Sequence, residues 1–409
     1  MARTAVDRNV RRRPKDRKAQ IARASAEAFN TLGYHGVSME VIASRVGISA
    51  AALYRHYSSK YELFRGAVLN LGQQLVDGTA GVGADAEPGQ ALRELVAALV
   101  DVAMTNRASG GLYRWEGRYL DADDRAELMA QMRTVHERIQ EPLALLRPGL
   151  TARQRATLST AVLSVIGSVV DHRAKLPAPQ ARTLLAELAA AVLAADLPAE
   201  VPVQASADPV PQPAADPSKY EALLTESMRL FYRKGYHDTS MEDIATAVGI
   251  PTSGIYKYFS GKSDILAAVF RRASDRVSAE LADIVATSAG PREALAAVVD
   301  AYVTRTFDRP ELEYVYYTER LNMSPADQRI LRDLQRSVVE VWVDLVVEVR
   351  PEWSPAQARF AVHAAMALVI DLGRLAHYAN SAGARAVVER LVEVTLLGDY
   401  RLRTTLPAR

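Results

Sequence analysis

The chain contains no cysteine. Disulfides, thiolate metal sites and a cysteine nucleophile are therefore excluded. No apolar run is long and uninterrupted enough for a membrane span, and no secretory pattern opens the chain. A cytoplasmic protein without membrane contact is expected. Gly-rich phosphate loops, a nucleophile elbow and an HExxH pair are all missing. His172 and His377 have no ligand-type partner four residues away, so no metal site is expected. Neither an enzyme nor a cofactor is indicated.

Net charge is nearly missing too, at +2 over 409 residues. The balance hides an asymmetry. Residues 1–65 hold 13 Lys and Arg against 5 Asp and Glu, a sum of +8, whereas residues 216–272 hold 8 against 7, a sum of +1. What is present in quantity is apolar side chain, at 49% of the residues, which is ample for buried cores in the two to three domains this length predicts.

One stretch is written twice. Ser38 to Lys60 reads SMEVIASRVGISAAALYRHYSSK, and Ser240 to Lys262, 202 residues on, reads SMEDIATAVGIPTSGIYKYFSGK. The copies align without a gap. In the first, Ser38 is a helix N-cap, and Met39, Ile42, Ala43 and Val46 recur with the period of one buried helix face. Gly47 supplies a left-handed turn, and Ser49 caps a second helix with Leu53 and Tyr57 inward. In the second, Ser240 caps, Ile244 and Val248 face inward, Gly249 turns, and Pro251 or Thr252 opens the next helix. Helix, glycine turn, helix at this spacing is the helix-turn-helix layout. Ser58 and Ser59 with Glu62 then read as a capping box, as do Ser260 and Asp264 in the copy.

Taken together, these motifs resemble the DNA-binding domain of the tetracycline-repressor (TetR/AcrR) family. The likeness rests on Phe29, Gly33 and Tyr34, then Ser38, Met39, Ile42, Ala43, Gly47, Ile48 and Ser49, and the run Leu53 to Tyr57 with Lys60. The second copy offers Gly249, Ile250, Ile255 to Tyr258, Phe259 and Lys262. It covers two stretches of about fifty residues. It implies an all-α chain of two tandem units, each a three-helix helix-turn-helix domain followed by an antiparallel helical ligand and dimerisation domain.

The expected organisation is a basic arm at 1–18, a first helix-turn-helix domain at 19–65 and a first helical domain at 66–195. A Pro- and Ala-rich linker at 196–218 follows, then a second helix-turn-helix domain at 219–267 and a second helical domain at 268–409. Helices are expected at 50–57 and 252–259, and long ones at 151–174 and 355–379. The helical domains repeat faintly: Arg147–Pro148 and Arg350–Pro351 match at an offset of 203.

By the same resemblance, the second helix of each motif enters the major groove. Ser49, Ala50, Ala51 and Arg55 are base-reaching candidates in the first copy, and Thr252, Ser253 and Lys257 in the second. Arg55 is equally suited to phosphate. Ser38, Tyr54, His56 and Lys60, and Ser240, Tyr256, Tyr258 and Lys262, are candidates for the sugar-phosphate backbone; for Tyr54 and Tyr256 packing at the helix end is the alternative. Arg11, Arg12 and Arg13 in the arm either follow phosphates and a minor groove or simply solvate the tail. Effector candidates lie on the middle helices: Tyr113, Trp115, Glu116 and Tyr119, and Tyr314, Tyr316, Tyr317 and Glu319. Core packing competes with a pocket wall for these aromatics.

The function expected is a transcriptional regulator, a repressor released by a small hydrophobic effector. Its partner is a double-stranded operator with unequal half-sites, because the two reading helices differ in sequence. Two heads in one chain suggest an intramolecular pseudo-dimer, with a homodimer of chains as the other assembly. An effector-independent architectural protein is one alternative, and a regulator reading through the first head alone is another.

Overall fold

The computed structural model describes residues 14–83, 85–198, 218–379 and 381–398. Arg11, Arg12 and Arg13, and most of the 196–218 linker, lie outside the described residues. Within them every regular element is a helix, and no helix is long and apolar enough to cross a membrane. The first half holds α1 (Pro14–Gly36), α2 (Met39–Val46), α3 (Ala50–Tyr54), α4 (Lys60–Gly78), α5 (Pro88–Thr105), α6 (Ala122–Leu146), α7 (Ala152–Gly167) and α8 (Ala178–Ala194). The second half holds α9 (Lys219–Lys234), α10 (Met241–Val248), α11 (Thr252–Ile255), α12 (Lys262–Thr287), α13 (Pro291–Asp308), α14 (Pro310–Glu319), α15 (Pro325–Val349), α16 (Pro355–Leu375) and α17 (Ala382–Leu397).

The duplication extends beyond the motif. Helices α5 and α13 both have 18 residues and α6 and α15 both have 25, each pair starting and ending 203 residues apart. The chain divides into two compact units, one of residues 1–78 and 106–134, the other of residues 79–105 and 135–409.

In the first unit, α1 to α4 close around Ile21, Phe29, Ile42, Leu53 and Phe64, all fully buried. Phe29 and Phe64 meet edge to face with centroids 5.2 Å apart. Burying each such ring contributes roughly 1.5–3 kcal/mol. Gly33 breaks α1 near its end at φ 71°, which lets Tyr34 turn back onto Phe64 at 4.7 Å.

In the second unit, α9 to α12 repeat that arrangement around Leu223, Phe231, Ile244, Ile255 and Ile265. The same unit contains the last helices of both halves. Helix α7 lies against α16, and α8 against α17. Both helices carry small buried residues, which permit a close approach: Ala161 and Ser164 on α7, and Ala361, Ala364 and Ala365 on α16. The His172 ring stacks flat on His363 at 4.2 Å and edge-on to Phe360 at 4.8 Å.

Four of the expected helices are shorter than their sequence pattern predicts, among them α16, which ends at Leu375 rather than at 379. Helix α3 stops at Tyr54 and α11 at Ile255, each followed by a turn. Helix α7 stops at Gly167, tightens into a single turn at Ser168–Val170 and leaves the helical path.

Candidate nucleic-acid interface

Local chemistry builds each head. The Ser38 hydroxyl accepts from the Val41 N–H at 3.4 Å, and Gly47 takes the left-handed conformation at φ 69°. The Gly47 N–H closes the helix on the Ala43 and Ser44 carbonyls. The Ser49 hydroxyl then accepts from the Ala52 N–H at 3.1 Å. In the second head Ser240 and Asp243 form a reciprocal capping box, and Gly249 turns at φ 71°. The Ser240 amide and the Lys234 ammonium hold the Asp243 carboxyl well below the usual carboxylate range.

The candidate reading residues divide by exposure. Ser49, Ala51, Tyr54, Arg55 and His56 are exposed, and Ala50 is half-buried against the core. Ser253, Tyr256, Lys257 and Tyr258 are exposed, and Thr252 is half-buried. Tyr54 and Tyr256 keep 52% and 55% of their surface, although packing at the helix end was the alternative role for both. An aromatic ring held open at the tip of a polar helix is available to a partner surface.

Lys60 and Lys262 are placed differently from the exposed group. The Lys60 ammonium donates to the Tyr34 carbonyl at 3.1 Å and lies 4.4 Å from the Tyr34 ring centroid. Lys262 donates to the Tyr236 carbonyl at 2.6 Å and lies 4.6 Å from its ring. Burial pushes both lysine pKa values down. At the helix start itself, the Glu62 carboxylate already accepts from the Ser58 N–H at 2.6 Å, and Asp264 accepts from the Ser260 N–H at 3.1 Å.

Glu116 and Glu319 bind the other end of the same residues. The Tyr34 N–H donates to Glu116 at 2.9 Å, and the Tyr236 N–H donates to Glu319 at 3.4 Å. Both carboxylates are buried. One backbone residue per head is thus held at its N–H by a glutamate and at its carbonyl by a lysine. Tyr113 and Tyr119 pack on the first head core, with Tyr119 stacked on Tyr34 at 5.1 Å, and Trp115 is buried. Tyr314 and Tyr316 likewise pack on the second head core.

Both heads match the family model described as "Bacterial regulatory proteins, tetR family", over residues 21–67 and 223–269. Each half of the chain carries a tetR-family domain. Among curated relatives, HTH-type transcriptional activator FasR of Mycolicibacterium smegmatis is 40% identical over 73 residues, 18% of this chain and 33% of that protein. HTH-type transcriptional repressor KstR2 of Rhodococcus jostii is 26% identical over 145 residues, 33% of this chain and 69% of that protein. The chain therefore spans a third of FasR and just over two thirds of KstR2. A solved structure of FadR from Bacillus subtilis in complex with stearoyl-CoA aligns at 17% identity and TM-score 0.38, covering 44% of this chain and 100% of that one.

Of the effector candidates, Tyr317 belongs to a group that sequence reasoning missed. Tyr302 on α13, Glu313 on α14 and Tyr378 in the turn after α16 lie within electrostatic reach of one another, and Tyr317 within reach of Tyr302 and Glu313. Tyr302 meets Trp342 edge to face at 5.7 Å, and Tyr378 meets Phe307 at 5.9 Å. Glu313, Tyr316 and Tyr317 keep part of their surface, yet burial pushes all three pKa values up. Desolvation is the largest cause of each of these shifts. One signal was available in the sequence: Tyr302 and Thr306, and Glu313 and Tyr317, are each four residues apart on a helix and share a face. Nothing local links the two pairs to each other or to Tyr378.

Proposed function

We propose that the chain is a DNA-binding transcriptional regulator, a repressor released from its operator by a small effector with a hydrophobic body. The observation that carries this reading is the pair of tetR-family heads, each presenting an exposed face of Tyr, basic and small polar side chains. The names of relatives point the same way: FasR and KstR2 are named as transcriptional regulators, one an activator and one a repressor. The two reading faces differ, Ser49–His56 against Thr252–Tyr258, so the operator would have unequal half-sites.

The packing of α7 and α8 on α16 and α17 supports an intramolecular pseudo-dimer. Two heads on one operator must meet successive major grooves, about 34–36 Å apart. An effector that moved the helical elements would change that spacing. The glutamates Glu116 and Glu319, each bonded to a head backbone, are the natural route for such a movement.

The test is binding of the full chain to DNA from upstream of its own gene over a salt series. Tyr54→Ala/Arg55→Ala is compared with Tyr256→Ala/Lys257→Ala. Loss of affinity in both, with each salt slope flattened by about 0.9 per lost phosphate contact, supports two heads on one operator. Loss in the first alone favours the second reading, in which only the basic head binds and chains pair; the charge of +1 over residues 216–272 is the observation behind it. No binding by either head overturns the regulator reading.

A further inference from the structure

Helices α7 and α16 come from different halves, and their contact is closed at one place by two ionisable rings. His172 lies just past the tightened turn at Ser168–Val170, which packs on α16 as α7 does. His363 lies in the middle of α16. The two rings stack at 4.2 Å with 10° between their planes. The duplication does not repeat this pair. At the offset of 203 that relates the halves, Leu375 matches His172 and Thr160 matches His363. One place at the junction therefore holds two titratable rings, and the matching positions hold none.

The two rings differ in what a proton would meet. His172 is buried, with 6% of its surface left, and its ring meets Phe360 edge-on at 4.8 Å. Its Nδ1 accepts from the Ala174 N–H at 3.1 Å. That bond needs the Nδ1 lone pair, so the neutral ring carries its proton on Nε2. A proton on Nδ1 would set two donors against each other and place a charge out of water.

His363 is half-buried and has a carboxylate within reach. Arg359 holds the Glu340 carboxyl of α15 below the usual range, and His363 and Arg336 act in the same direction. Arg359 is a like charge one turn before His363, and Asp344 of α15 acts on it together with Glu340. Asp171 and Arg173 flank His172, and the Arg173 guanidinium donates to the Val170 and His172 carbonyls at 3.3 and 3.4 Å. Helices α5, α8, α13 and α17, which complete the packing around α7 and α16, bury no Asp, Glu, Lys, Arg or His. Tyr302 of α13 is the titratable side chain buried on them.

Stacking sets how many protons the pair can hold. The face of a neutral aromatic ring attracts a cation, so one imidazolium on one imidazole is a stable arrangement. Two imidazolium rings at 4.2 Å repel, and most strongly where water is excluded.

We propose that His172 and His363 form a one-proton couple at the junction of the two halves. His363 takes the single proton that the stack accepts, and His172 stays neutral. A second proton, forced in by acid, breaks the Ala174 bond and unseats α7 from α16. The couple itself depends on nothing that the chain binds. It rests on the pseudo-dimer reading only for the consequence that acid alters the spacing of the heads.

The test follows the histidine Cε1–H signals of the full chain by NMR from about pH 8 to about pH 5, with amide exchange of α7 and α16 over the same range. His363 should titrate first, and His172 in a second step at least about one pH unit lower. Exchange in α7 and α16, corrected for its intrinsic pH dependence, should rise at least about tenfold in that second step. His172→Phe keeps a ring in the stack, removes the site of the second proton and should abolish the rise. His363→Phe removes the repelling charge, so His172 should take its proton at higher pH and the rise should move with it. The series is repeated in His136→Gln, because His136 also meets α7, at Ser159. His172 titrating first, both rings titrating together, or a rise that survives His172→Phe each overturns the proposal. If His172→Phe does not fold, the order in the unaltered chain and the displacement in His363→Phe decide it. Operator binding is measured separately on both sides of the second step. Affinity unchanged across it would sink the link to head spacing and leave the couple standing. Absence of DNA binding at every pH would sink the regulator reading alone.

Discussion

The Glu116 carboxylate accepts a hydrogen bond from the Tyr34 backbone N–H at 2.9 Å, across 82 residues of sequence. The second half repeats it with Glu319 and Tyr236 across 83. In both cases a middle helical segment holds the end of the first helix of a head. Removing the acceptor leaves a shielded amide unsatisfied, which costs about 1–3 kcal/mol. Glu116→Ala and Glu319→Ala should each lower stability by that amount in urea melts. Glu116→Gln and Glu319→Gln keep an acceptor oxygen and should cost less.

Lys60→Ala should weaken the fold of the first head more than its grip on DNA. Its ammonium is committed to the Tyr34 carbonyl and ring. The expected result is a lower urea midpoint with the salt slope of DNA binding unchanged. A slope reduced by about 0.9 would instead assign Lys60 to a phosphate.

Gly47 and Gly249 occupy left-handed conformations with open space where a Cβ would be. The cost of Gly47→Ala is therefore conformational, about 1–2 kcal/mol, and steric packing adds nothing. Gly47→Asn should cost less than Gly47→Ala, because Asn tolerates that region. Paired urea melts of the two variants decide it.

His136 gives the second unit a pH dependence. Burial pushes its pKa below the ordinary value of 6.5, and its Nδ1 lies 3.0 Å from the Ser159 hydroxyl. The unfolded chain therefore binds the proton more readily than the folded one. Stability is full above about 6.5 and falls as pH drops through the folded value of His136. His136→Gln should flatten that part of the profile in melts followed from pH 8 to pH 5.

The heads were legible in the sequence because their rules are local. Ser38, Ser49 and Ser240 cap within three residues, Gly47 and Gly249 turn in place, and Ser58 and Glu62 meet four residues apart. The direction of Lys60 was not legible, since its partner Tyr34 is 26 residues away and depends on the turn at Gly33. Glu116 and Glu319 read as effector contacts by position, whereas tertiary packing brings them to a head. The proximity of Tyr302, Glu313 and Tyr378 escaped for the same reason: they come from three segments, and only the packing of α13 on α14 and α16 joins them. The expected helix at 151–174 overran because a continuous apolar pattern does not record the tightened turn at Ser168–Val170.

The contact of α7 with α16 has a consequence for how this protein can change. In an assembly of two identical subunits, every substitution appears twice, on both sides of the symmetry axis. A residue at the axis must also tolerate its own copy. Here His172 faces His363, and each is encoded separately. Either can be replaced while the other is kept. The same freedom applies to Leu99 and Tyr302, or to Arg55 and Lys257, so the exposed face of one head can drift without disturbing the other.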